Sequence, residues 1–260
     1  MDLQLKGKVI VVTGGSKGIG YGICEQLIQE EAQVVIIGRN KETIPEAVNQ
    51  LSAAGGKVGF AYAELTDAAA CKKAVQEVLD QYGVIDGLVN NAGVNDGVSL
   101  AEGDFETFTQ SLHKNLTHYF IMAHYCLPAL KKSKGAIVNI GSKTAVTGQG
   151  GTSGYAAANG GRNALTREWA VELLPYSIRV NAVIVAESYT PLYEKWIQAF
   201  PDPMEKQRNR GQDGAGLANI KLNTEPGTRY ISRYRSVDTN SIGDIFGKVQ
   251  KRIAEGVGSD

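Results

Sequence analysis

The chain of 260 residues is poor in cysteine, has no excess of either charge and contains no long apolar run. Its three cysteines, Cys24, Cys71 and Cys126, are odd in number and far apart, which predicts buried thiols rather than disulfides or a metal site. Lysine plus arginine and aspartate plus glutamate number 27 each, so no overall field attracts nucleic acid or an anionic membrane. No segment approaches the ~18 uninterrupted apolar residues of a membrane span, and the first residues do not resemble a signal peptide. We therefore expect a cytoplasmic protein that binds neither nucleic acid nor a membrane.

Histidine is also scarce, and its spacing does not fit a pair of metal ligands on one helix. His113, His118 and His124 are separated by five and six residues, whereas residues on one helical face lie three or four apart. The sequence therefore predicts no metal centre.

Short apolar runs alternate with segments of helical period through the first 185 residues. Helical spacing is clearest in residues 105–119 and 165–174. Six runs predict strands: Val9 to Val12, Val34 to Ile37, Val58 to Ala61, Leu88 to Asn90, Ala136 to Ile140 and Ile178 to Val185. This alternation predicts an α/β fold, a doubly wound (Rossmann-like) parallel sheet with helices on both faces. Ligands of such sheets bind at the carboxyl ends of the strands, so the functional residues are expected to follow strands.

The first predicted strand runs into a glycine-rich turn. Residues 13–20 read Thr-Gly-Gly-Ser-Lys-Gly-Ile-Gly and are followed by helical spacing. Glycine lets the backbone adopt positive φ and approach a ligand, and the N–H groups at a helix start attract an anion such as pyrophosphate. A tight turn without a ligand is the alternative. The strand before and the helix after favour a dinucleotide site at Gly14, Ser16, Lys17, Gly18, Ile19 and Gly20.

Polar residues follow two further strands. Asn90-Asn91-Ala92-Gly93 comes after the fourth strand, Ser142 after the fifth, and Tyr155 opens the next helix. Each taken alone could be a turn residue, a helix cap or a half-buried aromatic. Their order along the chain favours a shared site.

In this order the motifs resemble the short-chain dehydrogenase/reductase family, over about residues 5 to 200. The resemblance is carried by residues 13–20, 90–93 and 179–182, with Asn115, Ser142 and Tyr155. It implies hydride transfer between a nicotinamide cofactor and a secondary alcohol or carbonyl. Tyr155 would be the acid/base, Ser142 would orient the substrate oxygen and Asn115 would support a proton relay. Further cofactor contacts are implied for Glu64, Leu65, Asn91, Ala92, Gly93, Tyr155, Asn159 and Thr190.

The chain departs from the family pattern four residues after Tyr155. The family has a lysine there, which holds the cofactor ribose and favours the tyrosinate, whereas this chain has Asn159. Asparagine can bond a ribose hydroxyl, but it offers no charge to shift a phenol whose ordinary pKa is about 10. We therefore expect Asn159 to weaken catalysis. Lys143, in the preceding loop, is the alternative source of a cation.

Charge at the end of the second strand bears on the choice of nucleotide. Arg39 stands where NAD-preferring members place a carboxylate on the ribose 2′-hydroxyl. Arg39 would pair with a 2′-phosphate and Lys17 would assist, so NADP(H) is favoured. NAD(H) remains open if both are solvated surface cations. Glu64 stands where the family usually has aspartate near the adenine.

After the sixth strand the chain has Ala-Glu at 186–187, where the family usually has Pro-Gly. This departure resembles a bacterial sugar dehydrogenase branch that includes enzymes oxidising L-fucose. Glu187 could accept hydrogen bonds from sugar hydroxyls, or it could be a surface carboxylate. The resemblance implies a substrate site formed by Ser142, Tyr155, Glu187 and Tyr193.

The resemblance ends near residue 205. We expect a dinucleotide-binding domain over residues 1–204 and a divergent tail over 205–260, where the family's seventh strand is not evident; the tail could belong to the same domain. A homo-oligomer, tetramer or dimer, is implied by the family. The leading function is an oxidoreductase acting on an alcohol or a sugar such as L-fucose. The alternatives are an inactive nucleotide-binding regulatory or scaffold protein, and an incomplete fold that binds little.

Overall fold

The computed structural model describes residues 3–186, together with Gln198 and Met204. Strands and helices alternate along residues 3–186. The strands are β1 (Val9–Thr13), β2 (Gln33–Gly38), β3 (Lys57–Tyr62), β4 (Gly87–Asn90), β5 (Ala136–Ser142) and β6 (Arg179–Val185). The α-helices are α1 (Gly18–Gln29), α2 (Thr43–Ala53), α3 (Ala68–Tyr82), α4 (Phe105–Leu112), α5 (His118–Ser133) and α6 (Ser153–Glu172). All six predicted strands are confirmed.

The strands form one parallel sheet in the order β3-β2-β1-β4-β5-β6. Val11 of β1 lies opposite Val35 of β2 on one side and opposite Leu88 of β4 on the other. The chain therefore builds one half of the sheet outward from β1, crosses back, and builds the other half outward from β4. The predicted doubly wound parallel fold is confirmed. Its ligand crevice lies where the strand order reverses, between the loops that follow β1 and β4.

Helices cover both faces of the sheet and produce two apolar clusters. Val12 shares one cluster with Ile23 of α1. Val11 shares the other with Val75 of α3 and Tyr119 of α5. Every residue of β1 is buried. Burial on both faces explains why the strands appear in the sequence as continuous apolar runs rather than as alternating patterns.

The helical period over residues 105–119 does not produce one continuous α-helix. Asp104 caps α4, accepting a hydrogen bond from the Thr107 N–H at 2.7 Å. After Leu112 a π-helical turn, His113–Thr117, connects α4 to α5. Such turns widen the helix by one residue and are frequent at functional sites. This one carries Asn115, which is completely buried.

The three cysteines lie buried as free thiols, as the sequence predicts. Burial raises the pKa of Cys71 to about 11 and that of Cys126 to about 12. Burial also raises the pKa of Cys24. The thiol form therefore predominates at neutral pH, and these cysteines act as small apolar side chains.

No helix in residues 3–186 is long and apolar enough to cross a membrane. The predicted tail, residues 205–260, lies outside the described residues, as do Glu187, Thr190 and Tyr193.

The buried hydroxyl of Thr13 connects the ends of β1 and β4. Its Oγ1 accepts hydrogen bonds from the backbone N–H groups of Asn91, at 2.9 Å, and Ala92, at 3.2 Å. Thr13→Val keeps the shape of the side chain but leaves two N–H groups without their acceptor. We expect a loss of about 1–3 kcal/mol in the free energy of unfolding, measured by urea denaturation.

Thr13→Ser is the matched control, because it keeps the hydroxyl and should retain most of the stability. An equal loss in both variants would show that the methyl group, and not the hydrogen bonds, accounts for the effect.

Candidate active site

A cavity of about 700 Å³ lies at the carboxyl ends of the strands. It brings together most of the residues that the sequence singled out, from loops that are distant along the chain. Those in its wall are Gly14, Ser16, Lys17, Gly18, Ile19, Gly20, Arg39, Glu64, Leu65, Asn91, Ala92, Gly93, Ser142 and Tyr155. Lys143 also lines it. Asn115 and Asn159 lie buried behind this wall.

The glycine-rich turn forms one end of the cavity. Gly14 and Gly18 have φ values of +65° and +55°, in the left-handed region that favours glycine. A side chain on Gly20 would collide with the carbonyl of Gly14 and would come within 2.5 Å of Asn91 Nδ2. These glycines let α1 begin close against the sheet.

The start of α1 is open to an anion. Lys17 is the residue that precedes the helix, its side chain makes no capping hydrogen bond, and the first turn carries no acidic residue. The first N–H groups of a helix have no partner within the helix. Together with the glycine cradle, they fit the pyrophosphate of a dinucleotide.

Asn91 braces this turn from the neighbouring strand. Its Nδ2 donates to the carbonyls of Thr13, at 3.0 Å, and Gly14, at 3.2 Å. The side chain therefore contributes to the cavity by holding the glycine turn in place as well as by lining it.

Arg39 and Glu64 form an ion pair at the rim of the cavity. Arg39 Nη1 lies 2.7 Å from Glu64 Oε2, and the two side chains are 77% and 41% exposed. Burial alone would raise the pKa of Glu64, but hydrogen bonds from Arg39 and Thr66 outweigh it and hold the pKa below its usual value. The sequence had singled out both residues without predicting that they pair. A 2′-phosphate would compete with this carboxylate for Arg39.

Ser142 and Tyr155 line the opposite part of the cavity. Ser142 ends β5, and its Oγ accepts hydrogen bonds from the Thr144 hydroxyl, at 3.1 Å, and the Thr144 N–H, at 3.3 Å. Its own proton can then be donated to a substrate oxygen. Tyr155 lies in the first turn of α6 and is partly exposed to the cavity. A hydroxyl donor and a phenol in one cavity are suited to binding a carbonyl or alcohol oxygen.

Both asparagines of the predicted site are engaged by neighbouring groups. Asn115 Oδ1 accepts from the Val94 N–H at 2.7 Å, and its Nδ2 donates to the Ser111 carbonyl at 3.1 Å. Asn159 Nδ2 donates to the carbonyl of Tyr155 at 2.8 Å. The Oδ1 of Asn159 accepts from Arg162 Nη1 at 3.0 Å. The two side chains thus support the cavity wall from behind.

Two buried basic residues of the cavity wall were not predicted as site residues from the sequence. Arg162 and His118 both line the cavity, although they are only 3% and 1% exposed. Arg162 follows Tyr155 by seven residues and Asn159 by three, spacings that bring side chains to one helical face. This helical spacing is the feature of the sequence from which Arg162 could have been predicted as a site residue. His118 gave no comparable signal, because the π-helical turn that positions it is not evident from the sequence.

Burial lowers the pKa of His118 to about 3, and the nearby charge of Arg162 contributes in the same direction. The backbone of Lys114, the charge of Glu64 and the backbone of Ala92 act in the opposite direction on this pKa but do not outweigh burial. The imidazole is therefore neutral at physiological pH. The imidazole of His118 lies near the permanently charged guanidinium of Arg162 and adds no second positive charge there.

Residues 8–199 match the sequence profile described as short chain dehydrogenase. The chain belongs to the short-chain dehydrogenase family. Its relatives include the 3-oxoacyl-(acyl-carrier-protein) reductase FabG of Chlamydia pneumoniae, 36% identical over 184 residues, which cover 70% of this chain and 74% of that protein. The L-fucose dehydrogenase of Bos taurus is 32% identical over 204 residues, covering 78% and 74% respectively. The crystal structure of Cj0485 dehydrogenase has a TM-score of 0.81 and 37% identity, with 98% of this chain and 91% of that chain covered.

Membership of this family implies an NAD(P)-dependent oxidoreductase. Enzymes of the family act on small molecules. The relatives differ in the activities for which they are named. Family membership therefore does not determine the substrate.

The buried neutral histidine predicts a specific dependence of stability on pH. In the unfolded chain His118 titrates near pH 6.5, whereas in the folded chain its pKa is about 3. Between these values the unfolded state binds more protons, so stability falls as pH decreases. We expect His118 to contribute a loss of about 1.4 kcal/mol for each pH unit below 6.5, measured by denaturation between about pH 7 and 5.

His118→Gln should flatten this slope, whereas His124→Gln, which removes an exposed histidine from the same helix, should leave it unchanged. The same flattening in both variants, or in neither, would contradict the assignment to His118.

Proposed function

We propose that this short-chain dehydrogenase transfers a hydride between NADP(H) and a secondary alcohol, with a sugar such as L-fucose as the leading substrate class. The observation that carries the proposal is one cavity that joins an anion-binding glycine turn to Ser142 and Tyr155. The turn and the start of α1 would hold the pyrophosphate. The nicotinamide, when bound, accepts or supplies the hydride.

The protein side chains would handle the substrate oxygen and its proton. Ser142 would donate a hydrogen bond to that oxygen and fix its position. In the oxidative direction the phenolate of Tyr155 would accept the hydroxyl proton while the carbinol carbon releases its hydride and the carbonyl forms. In the reductive direction Tyr155 would return the proton to the oxygen. The alcohol thus loses one proton and one hydride and becomes the carbonyl compound, and the reductive direction returns both.

The first test removes the proposed acid/base. Tyr155→Phe should lower kcat by about 100-fold or more, because general acid–base catalysis contributes that much. Cofactor affinity, measured by fluorescence titration, should change little because the ring is retained. The assay would follow NADPH absorbance with L-fucose, related aldoses and simple secondary alcohols.

Tyr176→Phe is the matched control. Tyr176 lies in the short turn after α6, outside the cavity wall, and its variant should keep full activity. Binding of cofactor by the unmodified protein without turnover of any substrate would instead favour the second candidate, a nucleotide-binding regulatory or scaffold protein. That candidate is supported by the neutral, buried Asn159, where the family pattern has a lysine.

The NADP(H) preference is proposed from Arg39 and Lys17, which both line the cavity. Glu64 opposes it by engaging Arg39. Glu64→Gln should therefore raise the ratio of NADPH affinity to NADH affinity by about threefold to tenfold, as expected for one exposed charge. Arg39→Ala should lower the same ratio. Both are measured as dissociation constants for the two reduced cofactors.

Glu77→Gln is the control for a general change of surface charge. Glu77 forms an exposed ion pair with Lys73 on α3 and should leave the ratio unchanged. A ratio that responds equally to Glu77→Gln and Glu64→Gln would assign the effect to overall charge.

The sugar preference is supported by the relative named L-fucose dehydrogenase and by the Ala-Glu dipeptide at 186–187. Glu187 and Tyr193 would contact the sugar hydroxyls, and Thr190 the nicotinamide amide. We also propose a homo-oligomer, a dimer or tetramer, and a cytoplasmic location, following the family.

A further inference from the structure

The guanidinium of Arg162 is fixed in the wall of the cavity by contacts with three neighbouring elements. Its Nε donates to the carbonyl of Asn115, in the π-helical turn, at 2.6 Å. Its Nη1 donates to the carbonyl of Ile140, in β5, and to Asn159 Oδ1, both at 3.0 Å. The guanidinium carbon lies 4.3 Å from the centre of the Tyr119 ring in α5. Because the group is planar, these contacts also fix the direction of its remaining nitrogen.

That remaining nitrogen, Nη2, has no partner. It is buried and finds no hydrogen-bond acceptor among the described residues. It lies beside Gly93, where an added Cβ would come within 2.8 Å of it. A buried donor without an acceptor costs free energy, and such groups in folded proteins call for an explanation. Since Arg162 and Gly93 both line the cavity, we expect the acceptor to come from a ligand bound there.

Arg162, rather than Asn159, reaches the cavity wall from this part of α6. Asn159 is completely buried and does not line the cavity. Its Nδ2 donates to the carbonyl of Tyr155 at 2.8 Å, and its Oδ1 accepts from Arg162 at 3.0 Å. Both ends of the amide are therefore engaged within the protein. The donor without a partner belongs to the residue three positions further along the helix.

The order of the strands locates Nη2 between the two ends of the cavity. The strands are parallel, so their carboxyl ends lie at one edge of the sheet, and β4 lies between β1 and β5. The glycine turn follows β1, Gly93 follows β4 and Ser142 ends β5. The guanidinium contacts Ile140 of β5 and lies beside Gly93. A ligand that extends from the glycine turn to Ser142 therefore crosses the loop after β4, next to Nη2.

This position corresponds to one part of a pyridine dinucleotide. The pyrophosphate fits the glycine turn and the start of α1, and the group that connects it to the nicotinamide is a ribose. A guanidinium nitrogen can only donate hydrogen bonds, whereas a hydroxyl oxygen can accept them. The ribose next to the nicotinamide therefore carries the kind of oxygen that Nη2 requires.

We propose that Arg162 is a cofactor-binding residue, whose Nη2 donates a hydrogen bond to a hydroxyl of the ribose that carries the nicotinamide. The identity of this ligand rests on the proposed function, because it requires a pyridine dinucleotide in the cavity. Asn159 is then a positioning residue, since it holds the guanidinium through Nη1. Gly93 belongs to the same arrangement, because a side chain there would collide with Nη2 and would come within 3.0 Å of Asn115 Oδ1.

The other basic side chains of the cavity wall are more accessible to solvent. Lys17, Arg39 and Lys114 are exposed, and Lys143 is half-buried. Arg162 is 3% exposed. An electrostatic interaction is stronger at a buried position than in water, and a fixed donor loses little freedom when a ligand binds. Removal of Arg162 should therefore reduce affinity more than removal of an exposed lysine.

The test locates the contact along the dinucleotide by using three ligands of decreasing length. NADPH contains the nicotinamide and its ribose, 2′-phospho-ADP-ribose ends at that ribose, and 2′-phospho-ADP ends at the pyrophosphate. Arg162→Met should weaken binding of the first two by about tenfold to a hundredfold, as expected for a lost hydrogen bond from a charged donor. Binding of 2′-phospho-ADP should not change. Calorimetry measures the three dissociation constants in the absence of substrate.

Two further variants are compared with Arg162→Met. Arg162→Lys keeps the charge but not the planar fork, and should weaken the two ribose-bearing ligands by a smaller factor. Arg167→Met removes an exposed arginine from the same helix and should change none of the three affinities. In every variant, unchanged binding of 2′-phospho-ADP shows that the glycine turn is intact, so a loss confined to the longer ligands is not a consequence of unfolding.

Four results would overturn the proposal. The first is an equal change for all three ligands, or no change, in folded Arg162→Met. The second is a loss for NADPH alone, which would place the contact on the nicotinamide. The third is the expected pattern in Lys143→Met but not in Arg162→Met. The fourth applies if the methionine variant does not fold, and is unchanged binding of the ribose-bearing ligands by folded Arg162→Lys.

The same measurements separate this proposal from the proposed reaction. The expected pattern of affinities in a protein that turns over no substrate would support the role of Arg162 while contradicting the reaction. Failure of the unmodified protein to bind any of the three ligands would contradict both.

Asn159→Ala tests the positioning role. It removes an acceptor of Nη1 but leaves Arg162 in place, so it should weaken the ribose-bearing ligands by less than Arg162→Met does and leave 2′-phospho-ADP unchanged. Added to Arg162→Met, it should have little further effect, because no guanidinium is left to position. A further loss of the same size in the double variant would contradict this role of Asn159.

Discussion

The meeting of β1 and β4 at the centre of the sheet is the constraint on which the site depends. The strand order reverses there, so the loops leaving these two strands separate and open a crevice. The side chains of Thr13 and Asn91 hold the two loops in register through hydrogen bonds to backbone groups, and Gly20 allows α1 to start directly against them. The anion-binding end of the cavity follows from this arrangement. The opposite end of the cavity, which carries Ser142 and Tyr155, is formed separately by β5 and α6.

The sequence was sufficient to predict the sheet and the glycine cradle, because both follow from local patterns. Buried parallel strands appear as apolar runs, and the strand, glycine turn and helix are consecutive in the chain. Contacts across the fold were not predictable in this way. In the sequence, Arg162 resembles a surface residue of a helix. Its hydrogen bonds to the carbonyls of Asn115 and Ile140 depend on other elements that the fold places beside it. The pairing of Arg39 with Glu64 likewise requires β2 and β3 to be adjacent.

The two arginines of the cavity differ in ways that suit different tasks. Arg39 is exposed at the rim and paired with a carboxylate, so its field is screened by salt and can be redirected by a ligand. Arg162 is buried, fixed by three hydrogen bonds and not paired with a described acidic residue. Substitutions at the rim that change Arg39 or Glu64 therefore leave the buried guanidinium of Arg162 in place.

The π-helical turn His113–Thr117 limits how the length of this chain can vary. A turn of this kind contains one residue more than an α-helix would need. Removing that residue would rotate all of α5 by about 100° about its axis, taking His118 and Tyr119 away from the cavity and the core. Surface loops elsewhere tolerate insertions and deletions, because their changes do not propagate. The π-helical turn does not tolerate such changes in the same way, so we expect natural insertions and deletions to be absent from it.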